Sequence, residues 1–130
     1  MTWLAGDLIA HVQREPGALA GTAEVPVARV VEAVDRGGGR LLGTLGKVTH
    51  AGRCAVPGGT GEHLVVETAR GKVTVILMPS QPLERRTQLA REGLTSVVLP
   101  AGRGSVGIVA GSPEALREIE EAVRRRISWI

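Results

Sequence analysis

Residues 40–79 read RLLGTLGKVTHAGRCAVPGGTGEHLVVETARGKVTVILMP, and along this stretch apolar residues tend to recur at every second position while glycines break the run at short intervals. A period of two with β-branched side chains is the pattern of strands that bury one face, and glycine pairs between such runs mark tight reversals. The spacing predicts strands over 40–45, 47–56, 62–69 and 72–79 in an antiparallel meander. Two more follow, over 94–100 and 104–110, turning at Gly102-Arg103. Residues 79–93 are polar and read as a connector with room for one or two helical turns.

Helical spacing flanks this region on both sides. Leu4, Leu8 and Val12, with Ile9 alongside, predict a short amphipathic helix over 3–14 that Pro16 stops, and His11 lies near its apolar stripe. A second helix opens after Pro26, places Val27, Val30, Val31 and Val34 on one face, and ends at Gly37-Gly38-Gly39. Ser112-Pro113-Glu114 starts a third, because serine caps free amides and proline is tolerated at the first helical position. Leu116, Ile119, Val123, Ile127 and Ile130 trace its buried face. The expected fold is a single α+β domain over 1–130: an antiparallel meander of about five or six strands with two N-terminal helices and one C-terminal helix packed on it.

Composition removes several function classes. The chain has 16 basic and 13 acidic residues, so no strong field favours nucleic acid. Phe and Tyr are absent, and Trp3 and Trp129 are the only aromatics, which leaves no row of rings for stacking bases or sugars. One cysteine excludes an internal disulfide and the multi-cysteine zinc and iron–sulfur patterns. No apolar run is long enough to cross a bilayer, and Asp7 and His11 interrupt any signal-peptide core, so the chain as given reads as soluble.

Two motifs have ordinary explanations. Gly102 to Gly107 fits the spacing GxGxxG, but Ser105 to Ala110 continues as strand, so the glycines make a hairpin rather than a dinucleotide loop. Arg124-Arg125-Arg126 follow Glu120 and Glu121 at helical ion-pair spacing and read as a solvated face.

One constellation approaches chemistry. If Arg70-Gly71 and Pro57 to Thr60 form the reversals, His63 stands opposite both Cys54 and Met78 on one sheet face. A thiolate, an imidazole and a thioether form a soft set suited to copper, with His11 or His50 as a further ligand; thiolate and imidazole alone also suit zinc. The packing alternative makes Cys54 and Met78 adaptable core residues, with His63 hydrogen-bonded beside them. A third reading makes Cys54 a nucleophile activated by His63, for which no orienting carboxylate is evident beyond nearby Glu62 and Glu67.

The stretches Leu41 to Thr49, Cys54, His63 to Val66, Gly71 to Pro79 and Val98 to Ser105, together with His11, Glu15 and Pro16, carry a family resemblance. They resemble the C-terminal part of an uncharacterised family of bacterial membrane-anchored proteins whose N-terminal parts look like anti-sigma factors. The resemblance implies a periplasmic sensory region acting through a protein partner, with any membrane attachment made by a segment outside this chain. The leading expectation is therefore a non-enzymatic extracytoplasmic sensory or protein-interaction domain. Its alternatives are a copper, zinc or redox-responsive site at Cys54, His63 and Met78 with His11, and a small cysteine-dependent enzyme.

Overall fold

A computed structural model describes residues 2–14 and 16–130; Glu15, one of the residues carrying the resemblance, lies outside them. The elements run α1 (Thr2–Arg14), α2 (Pro16–Ala20), α3 (Val27–Arg36), β1 (Gly39–Leu41), β2 (Lys47–Val56), β3 (Gly59–Thr68), β4 (Gly71–Met78), β5 (Thr87–Arg91), β6 (Leu94–Ala101), β7 (Gly104–Ala110), α4 (Pro113–Arg126) and β8 (Ile127–Trp129). The expected α+β class holds, built on a six-stranded antiparallel sheet of order β2-β3-β4-β7-β6-β5. No helix among the described residues is long and apolar enough to cross a membrane.

Both faces of the sheet are covered, as the near-continuous burial along β3, β4 and β7 requires. On the inner face Leu64, Val66, Val73, Val75, Leu77, Val97, Leu99, Val106 and Ile108 meet Val30, Ala33 and Val34 of α3 and Leu116, Ile119 and Val123 of α4. On the outer face Ile76, Met78, Val98 and Val109 lie beneath Leu4, Ala5, Leu8, Ile9 and Val12 of α1. Each fully buried aliphatic side chain contributes about 1.5–3 kcal/mol, so each helix is held by its stripe rather than by propensity. Gly107 makes the close approach of α1 possible, since a Cβ there would overlap Leu8 Cδ1.

Two polar ties fix the inner helices. Arg36 of α3 donates from Nε and Nη2 to Glu62 Oε1 of β3 at 3.1 and 2.9 Å, so the buried carboxylate has a charged partner. On α4, Glu120 accepts from Arg86 at 3.0 Å and from Arg124 at 3.1 Å. The expected helical pairing of Arg124 and Arg125 with Glu120 and Glu121 is present. Ser112 Oγ accepts from the Ala115 amide at 3.1 Å, the cap that its position predicts.

Four elements depart from the sequence expectation, the first being the short helix α2, which begins at Pro16 and adds a third helix before the sheet to the two expected. The strand expected over 40–45 is shorter and leaves the meander, because β1 pairs instead with β8 in a separate two-stranded sheet. That pairing draws Ile127 out of the C-terminal helix, where its spacing places it. The connector over 79–93 contains an edge strand rather than helical turns. Glu92 and Gly93 both adopt positive φ, 53° and 79°, and so form the two-residue reversal that joins β5 to β6.

Candidate metal centre

The site depends on the register of β2, β3 and β4, and both reversals differ from what the glycine positions suggest, the first being two residues shorter and the second of the same length but one residue earlier. Val56 pairs with Gly59 across Pro57-Gly58, where proline and a glycine at φ 88° suit the two central positions. Thr68 pairs with Gly71 across Ala69-Arg70, and Thr68 Oγ1 accepts the Arg70 amide at 3.1 Å, closing the turn early. Each ladder is thereby displaced by two residues. An even displacement preserves the face of every side chain while changing its partner. His63 therefore stands opposite Gly52 and Ile76, in place of the expected Cys54 and Met78.

A bulge at Thr49 determines which residues of β2 share that face. The ladder steps from Val48 opposite Val66 to His50 opposite Val65, so one residue is left over. Val48 and Ala51, three residues apart, consequently both enter the inner core. Beyond the bulge, His50, Gly52 and Cys54 alternate on the outer face, the face of His63. In the antiparallel ladder His63 lies between His50 and Cys54, opposite the glycine that separates them.

The third contributor comes from α1. Leu4, Leu8 and His11 follow one another at i, i+4 and i+7, so His11 occupies the next position along the buried stripe and is itself buried. Its ring centroid lies 5.4 Å from that of His63, and the His50 ring stands nearly perpendicular to His63 at 5.2 Å. One ring nitrogen each of His11 and His63 and the Sγ of Cys54 all lie within 4.8 Å of one another. This buried His–Cys–His group could hold a metal ion. A cleft lined by Asp7, Leu8, His11, Arg14, Ala55, Val56 and Pro57 leads to the His11 side from solvent.

The structure thus brings together His11, Cys54 and His63 of the expected set and places His50 beside them. Met78 is fully buried beneath α1, two residues along β4 from the Ile76 that faces His63, and its methyl end sits 3.6 Å from where a Gly107 Cβ would be. The carboxylates near His63 in sequence are engaged elsewhere. Glu62 points to the opposite face and binds Arg36, while Glu67 pairs with Lys47 at 3.1 Å. From sequence, His50 is an alternative to His11 as the further ligand, and its even spacing from Cys54 is the signal that puts it on the same face; the bulge at Thr49 turns Val48, not His50, to the inner core.

Fold and site together define a small two-faced α+β domain with a candidate transition-metal centre under its N-terminal helix. The chain belongs to the family described as a protein of unknown function (DUF3379), whose family model matches residues 2–127. No curated protein and no solved structure matches it.

Proposed function

We propose that the chain is a non-enzymatic sensory domain whose signal is one transition-metal ion held by His11, Cys54 and His63. The observation that carries this reading is the mutual approach of three ligand atoms delivered by α1, β2 and β3. Thiolate with imidazole is a donor set for zinc or copper(I), and the thiol gives up its proton to solvent when the ion binds. Cys54 is a ligand in this reading rather than a nucleophile, because Glu62 and Glu67 are committed to Arg36 and Lys47. The resemblance to the periplasmic half of membrane-anchored regulators supports an extracytoplasmic placement, with the bound state passed to a protein partner.

Elemental analysis of protein purified without chelator tests the proposal. Zinc or copper at one ion per chain is expected, lost in both His63→Ala and Cys54→Ser. Wild-type protein that arrives empty and takes up neither zinc nor copper(I) on titration overturns it.

A further inference from the structure

We infer that His50 is the fourth ligand, and that the completed set of three imidazoles and one thiolate selects a zinc-class divalent ion over copper(I). The inference rests on the metal reading above and extends it to coordination number and ion class.

Geometry supplies the first half. His50 and Cys54 lie on the same face of β2, four residues apart, with Gly52 between them and His63 directly opposite that glycine. The His50 ring folds back over the glycine: a Cβ on Gly52 would lie 3.4 Å from His50 Nε2. Nε2 therefore already overhangs the position facing His63, and the two rings are 5.2 Å apart between centroids. His50 is half-buried, so its ring can turn the remaining way without unpacking the core. His11 approaches from α1, its ring centroid 5.4 Å from that of His63. Three donors from α1, β2 and β3 thus already lie within 4.8 Å of one another, and His50 stands beside them on β2, one ring rotation from joining the set.

Donor chemistry supplies the second half. Copper(I) is favoured by soft sulfur ligands, and the thioether that would have softened this site, Met78, is two positions away from the Ile76 that His63 actually faces, with its methyl end near Gly107 of β7. What remains is borderline, with nitrogen outnumbering sulfur. A closed four-coordinate set of one thiolate and three imidazoles suits the tetrahedral preference of zinc.

Cobalt(II) loaded on the full chain provides the test, because its visible absorption reports coordination number and its sulfur charge-transfer band reports Cys54. The wild type is expected to take one cobalt with the intense visible bands of a tetrahedral site. His50→Gln should keep the charge-transfer band, lose the tetrahedral intensity, and bind zinc more weakly by at least the ~10-fold that loss of even an outer-shell partner costs. His50→Cys should restore the tetrahedral bands with a second thiolate contribution, which guards against a folding defect in His50→Gln. Unchanged cobalt spectra and zinc affinity in His50→Gln, with the wild type binding one ion, overturn the His50 assignment and leave the three-ligand site standing. Copper(I) outcompeting zinc for the wild type overturns the ion class. A wild type that binds no cobalt, zinc or copper(I) overturns both this inference and the reading beneath it.

Discussion

Gly52 is the antiparallel partner of His63, so the buried imidazole faces a backbone position with no side chain, and the His50 ring overhangs that same position. The glycine has no positive φ to require it, which makes the space above it the reason for its identity. Gly52→Ala adds a Cβ at ordinary contact distance and should preserve metal binding. Gly52→Val projects methyl groups into the volume shared by His50 and His63. It should leave thermal stability unchanged or slightly raised, since valine suits a strand, while weakening zinc binding by at least ~10-fold, as loss of an outer-shell partner already does. Chelator competition alongside thermal melts checks this; equal affinity in the valine variant would show that the space is unused.

The contact of Gly107 with Leu8 gives a second handle on the site, one turn along the stripe of α1 that carries His11. A side chain at 107 must displace Leu8, and overpacking of this kind costs about 1–3 kcal/mol. Gly107→Ala should lower stability by that amount, with faster amide exchange concentrated in residues 2–14. Zinc affinity should fall as well, because His11 rides on the same helix. Exchange that rises instead in α3 or α4 would mean that the inner core, not the α1 interface, absorbs the strain.

The fold class was legible because alternation in the strands and the stripes on the helices are local signals. Positions along each central strand were also assignable to a common face, since Leu64 and Val66, or Val73, Val75 and Leu77, differ by even numbers along one strand. What was not legible depends on partners distant in sequence. The pairing of β1 with β8 is made across the whole domain, and the bulge at Thr49 is imposed by the ladder with β3. The β3–β4 register differs by two because Thr68 closes its own turn, a side-chain effect hidden by the louder Arg70-Gly71 signal, and the β2–β3 register because Pro57-Gly58 alone makes the reversal. The shared face of Cys54 and His63 survives that slip, and His11 was within reach because a helical stripe is itself a local pattern.

Glu120 sets the acid stability of the α4 contact. Burial pushes its carboxyl upward, but hydrogen bonds from Arg86 and Arg124 outweigh this and hold it below its ordinary value of 4.5. A depressed carboxylate contributes stability that is complete above the ordinary value and disappears as pH falls through the lowered one. Glu120→Gln should therefore cost about 1 kcal/mol at neutral pH, discounted for the exposure of both arginines, and should flatten the stability profile below pH 4.5. Urea unfolding from neutral to acid pH, wild type against variant, measures it; parallel curves would remove Glu120 from the acid transition.

Metal binding and the docking of α1 are linked through His11, the ligand that does not belong to the sheet. An ion bridging His11 to Cys54 and His63 adds its binding energy to the contacts of Leu4, Leu8, Ile9 and Val12, so helix and ion stabilise one another. At free zinc near a hundred times the dissociation constant, stability should rise by about 2.7 kcal/mol. Amide exchange along 2–14 should slow in parallel. In His11→Ala the strand ligands can still take zinc, more weakly, but the ion no longer reaches the helix, and exchange in α1 should become indifferent to metal. Protons compete with the metal for its imidazole and thiol ligands, so the stabilisation should shrink steadily on acidification in the wild type. Hydrogen exchange with and without zinc, at neutral and mildly acid pH, separates these outcomes. Protection of α1 by zinc in His11→Ala equal to that in the wild type would mean that the ion acts on the sheet alone, with the helix following passively.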